Sequence, residues 1–333
     1  MKVNTFINNS LKVGLSLMLG GLILYWMYRD FDFKTVADTL LHDMNWTWML
    51  LSFPFGILAQ MFRGWRWHLT LEPMGEKART STSINSIFLS YAVSLVVPRI
   101  GEFARCGILN RYDGVSFPKA LGTVVVERAI DSALVLVITL ATFALQIHVF
   151  DTFFVKTGTN IETILAGFST TGYAVTAVCG IAVCILGSYL MRRFAIYKKV
   201  RDMFYGIWQG IMSIRKVKNP TLFVAFTLGI WACYFLHYYL TFFCFDATAS
   251  LGMDCALVTF IVGSIAVIVP TPNGAGPWHF AVKTMLILYG VGDVDALNFV
   301  LIVHSVQTLL VVMLGVYAWA ALSFTKKKPH ITA

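Results

Sequence analysis

The segment Val97–Glu102, which reads VPRIGE, interrupts one apolar run of this chain, and Val269–Gly274, which reads VPTPNG, interrupts another. Proline and glycine at these points leave backbone N–H and C=O groups that lipid cannot satisfy. Such breaks persist at membrane depth only where protein or a water-filled cavity surrounds them. A pair of broken segments in the two halves of a membrane chain is the best pointer in a sequence to a transport site.

The composition of the chain is that of a polytopic membrane protein. Of its 333 residues, 57% are apolar and 13% are charged, whereas soluble domains have about 25% charged residues. The net charge of +9 is concentrated in a link at about residues 191–219, where eight basic residues accompany one acid. Basic residues beside spanning helices mark the cytoplasmic side of a membrane. We therefore expect no nucleic-acid partner.

Six apolar segments are long enough to cross a bilayer, which takes about 20 residues. They cover residues 11–28, 47–69, 119–147, 166–190, 221–245 and 297–324. Two shorter apolar segments, 84–97 and 256–269, each end at one of the breaks and are followed by another short segment.

Loop charges predict the orientation of these segments. The link at 191–219 and the tail Lys326–Lys328 belong to the cytoplasm, and so do both termini. Basic residues flank both ends of the first broken segment, whereas acidic links flank both ends of the second. Each broken segment is therefore predicted to be a re-entrant hairpin, one from each face of the membrane. The alternative is a pair of ordinary spans with proline kinks.

The chain also has an internal repeat. Pro270 follows Pro98 by 172 residues, and the same offset carries the second span onto the fifth. We predict an all-α polytopic integral membrane protein with a single membrane domain over 1–333. It has about six full spans and two re-entrant hairpins, in inverted halves of about 1–160 and 161–333. In this architecture the hairpin tips meet near the bilayer midplane.

Three ionisable residues, Arg99, Glu102 and Arg105, lie at and just after the first break. A charged side chain in hydrocarbon is costly, so Arg99 should face a cavity or a partner. If a helix starts at Gly101, Glu102 lies in its first turn, where the helix dipole favours an acid. A helix N-terminus with a guanidinium nearby suits an anion such as a lipid phosphate. In the alternative, Arg99 and Glu102 pair with each other or with a neighbouring helix.

A second ionisable group, Glu127, Arg128 and Asp131, lies early in the third full-length span. Glu127 and Asp131 are four residues apart and share a helix face. Charged residues inside spans are rare and indicate function. The alternative is a buried lattice of ion pairs with Arg99 or Arg105 that holds the first broken segment in place. Such a lattice would still be able to form one wall of a substrate cavity.

Arg63 and Arg66 share a face near the inner end of the second span, with Trp65, Trp67 and His68 around them. Arginines among interfacial aromatic residues are typical of a membrane anchor. The alternative is that the two arginines collect an anionic headgroup from the cytoplasmic leaflet.

The second break supplies a different set of candidates. Those residues are Pro270, Asn273, Gly274, Gly276, His279 and Lys283. Pro277 suits the first turn of a new helix, which would place His279 and Lys283 on one face. A histidine there is able to relay protons and a lysine to contact phosphate. The alternative is a histidine that is simply a satisfied polar residue.

Several function classes have no support in the chain. It contains no nucleotide-binding loop, no Gly-x-Ser-x-Gly segment and no zinc-ligand spacing. Its six cysteines lack the C-x-x-C and histidine spacing of metal sites. We therefore expect no metal, no cofactor and no catalytic residue.

Three motifs carry a resemblance to a known family. They are VPRIGEFAR at 97–105, ERAID at 127–131 and PTPNGAG at 270–276. In this order, and over nearly the whole chain, they resemble the lysylphosphatidylglycerol synthase transmembrane family. This is a flippase-like membrane domain that is found alone or fused to an aminoacyl-lipid synthase.

The resemblance implies a polytopic domain that moves a lipid headgroup across the membrane. In fused members the cargo is an aminoacylated phosphatidylglycerol, and some relatives belong to polyprenyl-glycan or hopanoid pathways, so the resemblance does not fix the cargo. We expect a stand-alone membrane domain, since this sequence has no synthase half. The family usually has Pro-Gly-Gly where this chain has Pro272-Asn273-Gly274, and an acid is common at the position of His279. These departures point to a cargo of different charge.

The resulting hypothesis is a lipid translocase rather than an enzyme. It would move an anionic or zwitterionic lipid between leaflets of the cytoplasmic membrane. One alternative is a membrane-embedded transferase with Glu127 or Asp131 as its base. Another is a partner subunit of a separate lipid-modifying synthase. The sequence leaves open whether several copies associate.

The translocase hypothesis assigns a role to each group of residues. Arg99 and Arg105 would contact the headgroup, and Arg63 and Arg66 would give it access. The residues that would hold or gate the first broken segment are Glu102, Glu127, Arg128 and Asp131. The residues that would form the opposing tip are Asn273, Gly274 and His279.

Overall fold

The computed structural model describes residues 33–146 and 217–326, together with Met18, Gly21 and residues 23–25. Over these residues the chain is helical and has no strand. The helices are α1 Phe33–Asp38, α2 Trp46–Leu71, α3 Thr80–Val96, α4 Ile100–Asp113, α5 Phe117–Leu145, α6 Pro220–Tyr239, α7 Asp246–Ala249, α8 Met253–Ala266, α9 Pro277–Leu288 and α10 Asp293–Ser323. The predicted spans 11–28 and 166–190 and the basic link 191–219 lie wholly or largely outside the described residues.

Four long helices correspond to predicted spans. Within the described residues, Pro220–Cys244 and Asp293–Ser323 are long and apolar enough to cross a membrane. Helices α2 and α5 are of similar length, 26 and 29 residues. They carry the arginine and carboxylate side chains of the site described below. The all-helical class is confirmed, while the number of spans and the inverted repeat stay predictions.

The first broken segment forms a hairpin of α3 and α4, which we call the first hairpin. Its two arms pack closely at Gly101, where an added Cβ would lie 2.0 Å from the carbonyl oxygen of Ser90. The free ends of the arms also meet, because Arg79 Nε lies 2.6 Å from Asp113 Oδ1. Glu102 lies in the first turn of α4, as predicted.

The second broken segment forms a hairpin of α8 and α9, which we call the second hairpin. Residues 267–276 join its arms and contain a short 3-10 turn over Pro272–Gly274. Pro277 occupies the first turn of α9, as predicted. Where the arms approach, a Cβ on Gly263 would lie 2.8 Å from the indole nitrogen of Trp278.

Small residues let two long helices pack against the first hairpin. A Cβ on Gly64 of α2 would lie 2.8 Å from the Cα of Ile84 in α3. A Cβ on Gly315 of α10 would lie 2.3 Å from the Cβ of Ala92 in α3. Glycine at such points is typical of helix packing in membranes, because it allows the backbones to approach.

The two breaks lie against each other. Arg99 Nη2 in the first break donates a hydrogen bond to the carbonyl oxygen of Ile268, the residue directly before the second break, at 2.8 Å. Each break holds one residue other than glycine with a positive φ, Arg99 at 63° and Asn273 at 53°. Such a conformation costs on the order of 1 kcal/mol or more, and residues that adopt it are concentrated at functional sites.

Candidate functional site

A cavity of about 670 Å³ lies between the two hairpins and the long helices. Its lining comes from α2, α3, α4, α5, α6, α8, α9 and α10 and from both breaks. Cavities of roughly 300–1,000 Å³ hold small-molecule ligands. The volume is therefore sufficient for a lipid headgroup.

Three arginines converge on one carboxylate at the edge of this cavity. Asp131 of α5 accepts hydrogen bonds from Arg63 and Arg66 of α2 and from Arg128 of its own helix, each at 2.8 Å. Arg63 and Arg66 share a face of α2, and α2 turns that face toward α5. Both arginines are buried, with 3% and 0% of their surface exposed. The anchor interpretation is wrong, because an interfacial anchor keeps its guanidinium in the headgroup region.

A second buried ion pair joins the first hairpin to α5. Arg105 Nη2 of α4 lies 2.9 Å from Glu127 Oε2, and both side chains are buried. The Arg105 guanidinium also stacks 4.5 Å from the ring centroid of Trp67. Trp67 is fixed in turn, because its indole nitrogen donates to Thr123 Oγ1 at 2.9 Å.

A third contact closes this network on the cavity side. Arg128 Nε lies 3.4 Å from Glu102 Oε1, and both side chains are partly exposed. Because Arg128 also binds Asp131, the ion pairs link α2, α4 and α5. The network has the form of the lattice considered above, with Arg105 as its member from the first hairpin.

Arg99 stands apart from this lattice. It lines the cavity and is exposed, and among the described residues no carboxylate lies within ion-pair distance of it. It pairs neither with Glu102 nor with the carboxylates of α5. Its one hydrogen bond within the described part of the chain, to the carbonyl oxygen of Ile268, uses one of the five donors of a guanidinium.

The opposite side of the cavity is formed by the second break and α10. Asn273 Nδ2 donates to Thr308 Oγ1 at 2.6 Å, and the carbonyl oxygen of Asn273 lies 3.1 Å from His304 Nε2. The rings of His304 and His279 are 4.5 Å apart. Behind this wall, the backbone N–H of Gly276 donates to His279 Nδ1 at 3.3 Å.

The structure gathers most of the candidate residues around the cavity. Those that line it are Arg63, Arg99, Glu102, Arg105, Arg128, Asp131, Pro270, Asn273 and Gly274. Those that lie behind the lining are Arg66, Glu127, Gly276 and His279. Lys283 is not among the lining residues, and its Nζ lies 2.8 Å from Asp293 Oδ1 at the start of α10.

Several lining residues escaped the sequence analysis. Tyr91 of α3 and Tyr234 of α6 bridge the cavity wall through their hydroxyl groups, 2.8 Å apart. Both belong to apolar runs, and no local pattern in those runs distinguishes a tyrosine that lines a cavity from one that does not. Gln60 had a usable signal, because it precedes Arg63 by three residues and so shares its helix face.

Some buried polar atoms of the lattice have no hydrogen-bond partner among the described residues. They are Nε of Arg63, Nε and Nη2 of Arg66, Nη1 of Arg105, Nε of Arg128 and Oε1 of Glu127; Oε1 of the neighbouring Gln60 also has none. A buried polar group without a partner costs roughly 1–3 kcal/mol, and more when charged. Unpartnered guanidinium donors beside a cavity are what an anionic ligand would satisfy.

The charge of the lining is unbalanced. Four arginines and two carboxylates line the cavity, and one arginine and one carboxylate lie directly behind them. The site therefore carries an excess of two positive charges, which favours a ligand with negative charge.

Comparison with known proteins gives one match. The family model for the lysylphosphatidylglycerol synthase TM region matches residues 11–315. No curated protein and no solved structure matches the chain. The match covers most of the sequence, including both hairpins and the ion-pair lattice. The chain therefore belongs to the lysylphosphatidylglycerol synthase TM region family, a family of membrane domains.

Proposed function

We propose that this protein is a lipid translocase that moves an anionic or zwitterionic phospholipid headgroup between the leaflets of the cytoplasmic membrane. One observation carries the proposal: a cavity of about 670 Å³ with excess positive charge lies where two broken helical hairpins meet. Broken helices around a shared central site are the arrangement expected of a transporter.

The charged lattice supports this function by what it does to the first hairpin. Ion pairs from Arg105 and Glu102 attach α4 of the first hairpin to α5. A headgroup phosphate would compete for the same guanidinium groups. Ligand binding is therefore coupled to the contacts that fix the hairpin.

The two hairpins offer a route for alternating access. In the proposal each hairpin re-enters from its own face of the membrane, and movement of either tip opens the cavity to that face. The contact between Arg99 and Ile268 keeps the tips together. A headgroup that binds Arg99 would release that contact.

The direct test is headgroup translocation in proteoliposomes. A membrane-impermeant reagent would measure which leaflet holds the headgroup, while native mass spectrometry of the purified protein would identify bound lipid. We expect Arg99→Ala to abolish translocation and to leave the amount of folded protein unchanged. The matched control is Arg111→Ala, because Arg111 is an exposed arginine in the last turn of α4, the helix that Arg99 precedes, and is not among the cavity-lining residues. Full translocation by Arg99→Ala would refute the proposal.

The transferase alternative has less support from the geometry. Its candidate bases are Glu127 and Asp131, and each is bound by at least one buried guanidinium. A base must accept a proton from substrate, which these ion pairs oppose. Product formed from lipid and an activated donor would nevertheless favour a transferase. Bound lipid without leaflet exchange would favour a partner subunit of a separate synthase.

A further inference from the structure

We propose that the cavity selects a net anionic phospholipid whose headgroup bears hydroxyl groups and no ammonium group. The inference rests on the proposed function, because it takes the cavity as the headgroup site. The headgroups that fit this description are phosphate diesters that carry a polyol, such as glycerol or a cyclitol. Lipids with an ethanolamine, choline or aminoacyl cation would be excluded.

The first argument is the state of the carboxylates. Asp131 already binds three guanidinium groups, Glu127 binds Arg105, and Glu102 faces Arg128. No other Asp or Glu among the described residues lines the cavity. An ammonium group would therefore compete with guanidinium groups for these carboxylates, and it would meet an excess of two positive charges.

The second argument concerns aromatic rings, which also bind cations. The Tyr234 ring already lies 5.9 Å from the guanidinium carbon of Arg63. Trp278 packs against the rings of His304 and Tyr238, at 5.2 and 6.3 Å. Because these rings have partners, they do not form an open aromatic cage for a quaternary ammonium.

The third argument is the opposite wall of the cavity, which is neutral and rich in hydrogen-bonding groups. Thr271 lines it and is 4% exposed, and its Oγ1 lacks a hydrogen-bond partner among the described residues. Asn273, Gln307 and Thr308 line it as well. Uncharged donors and acceptors of this kind suit hydroxyl groups.

The phosphate of such a lipid would lie on the arginine side. Arg99 lines the cavity and uses one donor for Ile268, and among the described residues Arg63 Nε and Arg105 Nη1 have no hydrogen-bond partner. A phosphate there leaves the hydroxyl groups to the neutral wall. The two sides of the cavity thus match the two parts of the headgroup.

The test is a binding competition on the full-length protein, with lipids that share the same acyl chains. Native mass spectrometry would compare phosphatidylglycerol and phosphatidylinositol with phosphatidic acid, phosphatidylethanolamine, phosphatidylcholine and lysylphosphatidylglycerol. We expect the first two to bind at least about tenfold more tightly than every lipid that carries a cation. Which of the two binds more tightly tells glycerol from cyclitol. Equal binding of phosphatidic acid would overturn the hydroxyl part, and equal binding of a cationic headgroup would overturn the charge part.

A designed carboxylate tests the charge argument directly. Ser264 lines the cavity, and its hydroxyl bonds only within α8, to the carbonyl oxygen of Phe260 at 2.8 Å. We expect Ser264→Asp to weaken phosphatidylglycerol binding by about tenfold and to strengthen lysylphosphatidylglycerol binding. The matched variant Ser264→Asn adds the same volume without charge and should keep the wild-type order of affinities.

A second pair of variants repeats the test at another position, so that misfolding of Ser264→Asp does not decide the outcome. Ser132 of α5 is exposed and lines the cavity from the arginine side. Ser132→Asp and Ser132→Asn should show the same contrast. If neither aspartate changes the order of affinities, the charge argument fails.

This binding assay is independent of transport. Selective binding of phosphatidylglycerol without leaflet exchange would support the inference and refute the translocase. Leaflet exchange at equal rates for phosphatidylethanolamine and phosphatidylglycerol would support the translocase and refute the inference.

Discussion

Asp131 is the residue on which the charged side of the cavity depends. Its two oxygens accept hydrogen bonds from Arg63, Arg66 and Arg128, so one carboxylate holds three guanidinium groups from two helices. Removing one partner of a buried ion pair leaves an uncompensated charge, which costs more than the pair contributes. The stability of the fold should therefore be unusually sensitive to this position.

We predict that Asp131→Asn lowers the free energy of unfolding by about 3–5 kcal/mol, because Arg63 and Arg66 would stay buried with one counter-charge fewer. The measurement is the thermal or denaturant midpoint of the purified protein. The control is Asp293→Asn, the same substitution in a pair with Lys283 where the aspartate side chain is 64% exposed. The control should change the free energy by about 1 kcal/mol or less. Equal effects at both positions would contradict the prediction.

Only some of the individual site residues can be predicted from the sequence. Glu127 and Asp131 are recognisable because charges inside a span are rare, and the breaks draw attention to Arg99 and Arg105. The partners of Asp131 are not recognisable, because Arg63 and Arg66 lie 68 and 65 residues away and look like an interfacial anchor. Which residues pair across helices depends on how α2 is rotated, and no local pattern encodes that rotation.

At the scale of the element, the first hairpin is fixed by the close approach of its arms. A Cβ on Gly101 would meet the backbone of α3 at Ser90, 2.0 Å away, and a backbone atom cannot move aside as a flexible side chain can. The position therefore requires glycine for steric reasons, although φ there is helical. The same hairpin also contains a glycine without any such neighbour.

We predict that Gly101→Ala separates the arms of the first hairpin, lowers thermal stability and abolishes lipid translocation. The control is Gly107→Ala in the same helix α4, where an added Cβ has no atom within 4 Å. Alanine there should stabilise the helix by roughly 0.5–1 kcal/mol. Thermal midpoints and translocation rates of the two variants would be compared. Similar behaviour of both variants would show that the contact at Ser90 does not matter.

The boundaries of the helices are predicted closely by apolar length and by the positions of the prolines. The predicted spans 47–69 and 119–147 became Trp46–Leu71 and Phe117–Leu145, and each break fell at its prolines. Proline cannot continue a ladder of helical hydrogen bonds, and apolar length is set by the bilayer, so both signals are local. The left-handed conformation of Arg99 and Asn273 was not foreseen, since neither residue type requires it.

At the scale of the whole molecule, loop charge divides the ends of the helices into a predicted cytoplasmic group and a predicted external group. The end of α2 meets the start of α6, where Lys218 donates a hydrogen bond to Glu72 and thereby lowers the pKa of that carboxyl group. The free ends of the first hairpin meet through Arg79 and Asp113. Loop charge predicts that both of these junctions are cytoplasmic and that the free ends of the second hairpin are external.

We predict that single cysteines at Arg111 and Asp254 are labelled from opposite sides of the membrane. Arg111 lies in the last turn of α4 and Asp254 in the first turn of α8, and both are exposed. In intact cells a membrane-impermeant maleimide should reach Asp254→Cys, whereas Arg111→Cys should react only after permeabilisation. Both variants are made in a parent protein whose six native cysteines are replaced by alanine, and that parent gives the background labelling. Labelling of both from one side would rule out hairpins that enter from opposite faces.

The convergence on Asp131 has a consequence for biosynthesis. Arg63 and Arg66 leave the ribosome 68 and 65 residues before their counter-ion. An arginine costs up to roughly 2.5–3.5 kcal/mol to insert at the centre of an isolated helix, and less toward a helix end. Helix α2 therefore bears this cost until α5 follows and supplies Asp131. The ion pairs that shape the cavity thus also impose an order on its assembly.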